Sequence, residues 1–397
     1  MNMLKAIVHA LRARSRLAYS STRSPATHSH VTGGNPRTRR WAWLGALVLG
    51  GVLLHSGNAH ATDPGTCAFA TAPPSPAAGS RVSLQTPLSG SFTIGRDLPV
   101  GSIIYQRIIP TSGANWVVCS PAGLYSAVLS YTSTPYPLAS YTSPTYGNVY
   151  QTSVPGIGAV ITGGSPATAL PATLATINFT GGGDALTLGS SGQTTLYLIK
   201  TGPVSPGTLT GSGLPVTHQT EGTNSLEALV SSFTGAINIV AGTCVTPNVT
   251  VNLGTHTLSE LKGVGTSTGL VNVPIQLNNC PAFYGQAQTV IGGTALPVTA
   301  NTLSFQVNPT TSVVNASQGV MALTSTGSGA ATGMGIQMLN ASSAPIQYGM
   351  ATPSGLALSK VDGASYTINL QARYYQTAST TTAGQANGSA TVTLIYN

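Results

Sequence analysis

The chain has 397 residues, fifteen Lys and Arg against seven Asp and Glu, and a formal net charge of +8. Eight of the fifteen bases (Lys5, Arg12, Arg14, Arg16, Arg23, Arg37, Arg39 and Arg40) precede the first acid, Asp63, so the remainder carries seven bases and seven acids. A neutral remainder presents no basic face and excludes nucleic acid as a partner. Past residue 61 the only histidines are His218 and His256, and there is no nucleophile elbow or H-E-x-x-H motif, so the chain reads as a non-enzyme with no cofactor and no metal site.

In chain order, Arg39 and Arg40 precede "WAWLGALVLGGVLL" (41–54), an apolar run short for a membrane span. "NAHA", ending at Ala61, then supplies a small-x-small cleavage pattern. Residues 1–61 are therefore expected to be a signal or leader peptide, and the protein to be exported. Four cysteines follow, Cys67, Cys119, Cys244 and Cys280. Export favours disulfides, and two widely separated pairs suggest one bridge per domain, Cys67 to Cys119 and Cys244 to Cys280, each worth about 4 kcal/mol by loop-closure entropy. Zinc is the weaker alternative, because no C-x-x-C is present.

The stretch after residue 61 is too long for one β-sandwich and suits two. It is rich in Thr, Ser, Gly, Val and Ala, and Gly and Pro punctuate segments that read as strands. These are "SFTIG" (91–95), "SIIYQRII" (102–109), "NWVVCS" (115–120), "YSAVLSY" (125–131), "TTLYLIK" (194–200), "VTVNLG" (249–254), "VNVPIQL" (271–277), "LSFQVN" (303–308), "GMGIQML" (333–339), "SYTINLQARYY" (365–375) and the closing "SATVTLIYN" (389–397). No long helix is expected; "SLEALVSSF" (225–233) is the best short helical or turn candidate and marks the domain cut, giving 62–237 and 238–397. In the closing strand Val392, Leu394 and Tyr396 fall on one side and Thr391, Thr393 and Ile395 on the other.

"YTSTPYPLASYTSPTY" (131–146) is a near-repeat at a ten-residue spacing. Tyr131, Tyr136, Tyr141 and Tyr146, on loops pinned by proline, are candidates to stack on sugar rings, although tyrosines so spaced also suit cross-strand packing. Asp97, Asn178, Asp184 and Gln193 are further candidates to bond sugar hydroxyls, and Trp116, three residues before Cys119, suits core packing beside a disulfide.

"GTCVTPNVTVNLGTHTLSELKGVGTSTGLVNVPIQLNNCP" (242–281) resembles the opening of a fimbrial, type 1 pilin-like domain of chaperone-usher pili: Cys in the first strand, V-x-L-G, a Gly-rich turn, then I-x-L-x-x-C-P. "ATGMGIQMLNASSAPIQYG" and "YTINLQARYYQTASTTTAGQANGSATVTLIYN" resemble the family's G-x-G-I-x-L strand and its closing stretch, and Tyr396 and Gly384 match its penultimate aromatic and its glycine fourteen residues from the end. "TTLYLIKTGPVSPGTL" (194–209) is similar to a closing hairpin of fimbrial adhesin domains.

The resemblance implies an all-β fold of two sandwiches: an N-terminal adhesin or lectin-like domain (62–237) and a C-terminal, incomplete immunoglobulin-like pilin domain (238–397). It implies a groove, bordered by Gly384, Val392, Leu394 and Tyr396, that a periplasmic chaperone and then a neighbouring pilin subunit fill by donor-strand complementation after passage through an outer-membrane usher. The two-domain layout is that of a tip adhesin at the cell surface with a glycan receptor, and Cys67, six residues past Ala61, leaves little room for a donor extension. A structural pilin or adaptor of the shaft, without a receptor, is the alternative class.

Overall fold

Strand content dominates from Thr66 to Tyr396, and the only helical elements among the described residues are two single-turn 3-10 segments. The computed structural model describes residues 3–11, 63–71, 79–109, 116–164, 166–180, 186–187 and 194–397. The apolar run at 41–54, the cleavage pattern ending at Ala61, Asp184 and Gln193 lie outside the described residues.

The N-terminal half builds two large sheets. One runs in the order Ile103–Ile109, Thr194–Lys200, Ile157–Gly163, Gly147–Gln151 and Leu138–Ser143. The other runs Ala172–Phe179, Gly123–Ser133, Val216–Glu221, Leu226–Val240 and Gly207–Thr210, with Val82–Leu88 and Ser91–Thr93 added in parallel to Leu226–Val240. Between them lies a core that includes Phe92, Ile104, Tyr105, Ile161, Leu198 and Ile237. Every residue of Thr194–Lys200 and of Ile157–Gly163 is buried, which explains their near-continuous apolar sequence: both faces are covered. A three-stranded sheet of Thr66–Phe69, Trp116–Ser120 and Leu186–Thr187 closes one end, with Cys67 directly opposite Cys119.

The C-terminal half has its own core, formed by Val251, Leu277, Phe305, Ile336, Leu370, Tyr374, Val392 and Tyr396 among others. Val271–Cys280, Ala364–Gln376, Met334–Asn340, Val320–Met321 and Val313–Asn315 form one sheet, and Thr352–Pro353, Leu303–Pro309 and Ala390–Tyr396 the facing one. Val249–Thr257 stands apart from both and pairs antiparallel with Met3–Leu11. The two halves also share a seam. Gln288–Ile291 leaves the C-terminal sandwich to lie parallel to Ile103–Ile109, and its Val290 is buried in the N-terminal core.

Each of the eleven segments read as strand contains one. The expectation that fails is 225–233, which lies not in a helix or turn but mainly in the fifteen-residue strand Leu226–Val240. From Leu229 onward its buried positions Leu229, Ser231, Phe233, Ile237 and Ile239 fall on one alternating face, with Ala228 buried beside them. A buried serine and Gly235 interrupt the apolar period that would have marked it. The strand runs on to Val240, its last residues paired with Gly207–Thr210 and Ser91–Thr93.

Both expected bridges form, Cys67 to Cys119 and Cys244 to Cys280, across separations of 52 and 36 residues. Trp116 is the one tryptophan after residue 61, so its fluorescence follows the first sandwich alone. Cys67→Ala with Cys119→Ala is expected to lower the stability of that sandwich by about 4 kcal/mol. In a guanidinium titration the Trp116 transition should move to lower denaturant, while the second transition, read by circular dichroism, stays in place.

Candidate functional site

Among the described residues the terminal strand Ala390–Tyr396 pairs on one side only, with Leu303–Pro309. The exchange between Thr302 and Asn397 (2.8 and 3.0 Å) sets the phase of this antiparallel ladder. Ile395, Thr393 and Thr391 turn their backbone groups toward Leu303–Pro309, whereas Ala390, Val392, Leu394 and Tyr396 turn theirs to the outer edge. The side chains of those same four residues are buried. One residue set therefore anchors the strand in the core and turns its N–H and C=O groups to the outer edge, where no described strand pairs with them. Burial of Val392, Leu394 and Tyr396 contributes about 1.5 to 3 kcal/mol each.

Tyr396 is tied most firmly. The Cys244 amide donates to its hydroxyl at 3.2 Å, which joins the penultimate residue to the disulfide. Burial raises the pKa of that hydroxyl, opposed by the Cys244 N–H and the charge of Arg96. Gly384, expected with these residues, is elsewhere. A Cβ there would strike the Gly329–Ala331 backbone, so its role is close approach of two chain segments. Val251 and Leu253, on the strand that receives Met3–Leu11, are buried in the same core as the terminal strand.

The tyrosines of the near-repeat make contacts within the first sandwich. Tyr131 Oη accepts from Ile161 N at 2.9 Å and donates to Ile161 O at 3.1 Å, stitching the two sheets of the first sandwich. Burial pushes its pKa far up. Tyr146 stacks on Tyr197 with centroids 4.2 Å apart, and Tyr141 packs in the same cluster with Val149, Val160 and Ile199. Burial and the neighbouring Tyr146 push the Tyr197 pKa up to about 12. Tyr136 lies against Gly213. Tyr141 and Tyr146 thus pack on the outer face of a sheet buried on both sides, while Tyr131 packs against the inner core. Asn178 is exposed on Ala172–Phe179, and Asp97 is engaged with the terminal strand, its Oδ2 accepting from Tyr396 N at 3.0 Å.

Beside the tyrosine cluster lies a cavity of about 280 Å³, lined by Ser140, Gln151, Thr152, Pro155, Thr201 and Pro203 among others, with no charged side chain in its wall. Thr152 Oγ1 is committed, donating toward the Ile157 and Val154 carbonyls. Gln151 Nε2 donates to Leu138 O at 3.2 Å, leaving its carbonyl oxygen to accept. Its walls present small polar groups between proline faces. Sequence inspection does not single out this cavity because its walls are backbone and common residues from three separate segments.

A family model described as "Fimbrial protein" matches residues 231–397. The chain is 29% identical over 325 residues to the fimbria adhesin protein of Klebsiella pneumoniae, covering 78% of this chain and 89% of the relative. It is 33% identical over 150 residues to the fimbrial subunit type 1 of Salmonella typhimurium, covering 37% of this chain and 70% of that subunit. Among solved structures, the receptor binding domain of the plasmid-born adhesin MrkD1P of Klebsiella pneumoniae aligns with 45% of this chain and 98% of its own, at 21% identity and a TM-score of 0.30. The CupB6 tip adhesin of Pseudomonas aeruginosa aligns with 83% of this chain and 98% of its own, at 13% identity and a TM-score of 0.27.

One buried acid gives the first sandwich a pH signature. Thr217, Gln219 and Glu221 all turn inward from Val216–Glu221. Gln219 Nε2 donates to Glu221 Oε1 at 2.9 Å, while Oε2 has no hydrogen-bond partner among the described residues. Burial raises the carboxyl pKa from 4.5 to about 7, the Gln219 bond opposing and the charge of Asp63 assisting. Below pH 4.5 both folded and unfolded chains hold this proton. As pH rises from about 4.5 to about 7 the unfolded chain releases it first, and the fold loses about 3 kcal/mol. Glu221→Gln is expected to remove that loss: the stability difference between variant and parent, from denaturant titrations across this window, should grow with pH and level off above 7.

Proposed function

The chain belongs to the fimbrial protein family, and from that premise we propose that it is a two-domain adhesin of a chaperone-usher pilus, with a receptor-binding first sandwich and a second sandwich that is completed by a strand from another subunit. In this reading residues 1–61 are a leader, the first sandwich runs from residue 62 to Val240, and a periplasmic chaperone, the usher and a neighbouring pilin handle the second. The observation that carries the proposal is the outer edge of Ala390–Tyr396, paired with no strand among the described residues, together with Val249–Thr257, an edge that takes an added strand in Met3–Leu11. Main-chain pairing supplies affinity at such an edge and alternating side chains supply specificity.

A subunit of this kind has no donor segment between Ala61 and Cys67, so it accepts a strand and ends the fibre. The receptor is a neutral glycan held at the cavity around Ser140, Gln151 and Thr201, whose uncharged polar walls supply hydrogen bonds and no ion pair.

Immunogold labelling with antibody to the first sandwich is expected to mark fibre tips alone. Label along the shaft would favour the structural-subunit alternative instead. On a glycan array, residues 62–240 should retain neutral oligosaccharides. Gln151→Ala should weaken that retention by about ten-fold, as expected for loss of a hydrogen bond to a buried partner of about 1.5 kcal/mol, without moving the melting temperature of the domain.

A further inference from the structure

Charges are scarce between residue 62 and Val240: Asp63, Arg81, Arg96, Asp97, Arg107, Asp184, Lys200, Glu221 and Glu227. Three of them, Arg96, Asp97 and Lys200, meet at one point, where the first sandwich reaches the end of the terminal strand. Lys200 closes the central strand Thr194–Lys200 and is 2% exposed. Its Nζ donates to the carbonyls of Gly95 and Arg96 at 2.9 and 2.8 Å. Its own backbone is fixed by Gly101 and Ser102 at 2.8 and 2.9 Å. Burial pushes the Lys200 pKa down and the charge of Asp97 opposes this, so the ammonium is held by fixed acceptors rather than by water.

The turn that Lys200 clamps then treats Tyr396 as a neighbouring strand would. Asp97 N donates to Tyr396 O at 3.1 Å, and Tyr396 N donates to Asp97 Oδ2 at 3.0 Å. Arg96 Nη2 donates to Leu394 O at 2.8 Å and to Asp97 Oδ2 at 2.9 Å, with the guanidinium 5.7 Å from the centre of the Tyr396 ring. A Cβ on Gly95 would strike the Tyr396 carbonyl oxygen, so the close approach requires glycine. Three of the outward-facing backbone groups of the terminal strand are thereby satisfied from within the chain.

We propose that the Gly95–Asp97 turn is a built-in stop for strand addition: it occupies Tyr396 and the Leu394 carbonyl on the terminal strand's outer edge, so that a donated strand pairs along Ala390–Val392 and ends there. This rests on the strand-addition reading above and adds to it where the added strand must finish and which residues of the first sandwich set that limit. The stop also makes the first sandwich a neighbour of any donated strand, because the same turn is hydrogen-bonded to both Lys200 and Tyr396.

Amide hydrogen exchange on the full chain tests the stop. In the parent, Tyr396 should exchange as slowly as Ile395, which is paired to Leu303–Pro309. In Arg96→Ala with Asp97→Ala, Tyr396 should exchange at least about ten-fold faster while Ile395 changes less than two-fold, the mark of a local opening. Asp97→Asn keeps an acceptor oxygen and should keep Tyr396 slow, which guards against a variant that merely misfolds. An unchanged Tyr396 in the double variant, or a fast Tyr396 in the parent, would overturn the stop. Deleting residues 1–11 judges the underlying reading separately: the amides of Val249–Thr257 should lose protection. If they do not, strand addition fails while Tyr396 still decides whether the turn closes the edge.

Discussion

The fold of the second sandwich turns on a strand with two obligations. Ala390, Val392, Leu394 and Tyr396 send their side chains into the core and their backbone N–H and C=O groups to an edge that no strand of the terminal sheet covers. Because the period of a strand is two, these cannot be separated: any residue that anchors this strand in the apolar core also points its backbone polar groups at the open edge. Unpaired main-chain groups along an edge strand are a general template for pairing with another chain. The rest of the domain supports that edge from behind, through the Leu303–Pro309 ladder and the bond from the Cys244 amide to the Tyr396 hydroxyl.

The first sandwich is organised around a different constraint. Thr194–Lys200 and Ile157–Gly163 are covered on both faces, and two tyrosines of the near-repeat help cover one of them: Tyr141 and Tyr146 lie over Val160, Tyr197 and Ile199. Aromatic rings supply a large area of burial from a hairpin too short to contribute a full sheet. Lys200 then carries that rigid centre to the Gly95–Asp97 turn and the terminal strand, while the residues after it, Thr201 and Pro203, form part of the cavity wall. Scarce charge is spent at this junction and on a surface group of Arg81, Glu227 and His218.

Most of the architecture was legible in the sequence because strands announce themselves by local alternation, and the cysteines by their grouping in two distant pairs. The eleven strand segments, both bridges and the inward set Val392, Leu394 and Tyr396 needed only neighbours in the chain. What was hidden depends on distance or on exceptions to pattern. Leu226–Val240 was masked by a buried Ser231 and by Gly235. Asp97 looked like a ligand for sugar hydroxyls, and only the fold reveals that its partner is Tyr396, 299 residues away. The tyrosine spacing was visible but not its direction, since stacking on a ligand and covering a sheet call for the same residues. The parallel pairing of Gln288–Ile291 with Ile103–Ile109 has no local signal at all.

The central claim is that the C-terminal sandwich is one strand short within the exported chain and is completed from outside. Calorimetry of residues 62–397, with and without a copy of the Met3–Leu11 strand joined after Asn397 by a flexible linker, addresses it most directly. Five or so alternating side chains at about 1 to 2 kcal/mol each amount to much of a domain's stability. The account predicts that the transition of the C-terminal sandwich appears, or rises by more than about 15 °C, only when the strand is attached, while the N-terminal transition is unmoved. Two identical thermograms from monomeric protein, each with a cooperative C-terminal transition at the same temperature, would contradict it.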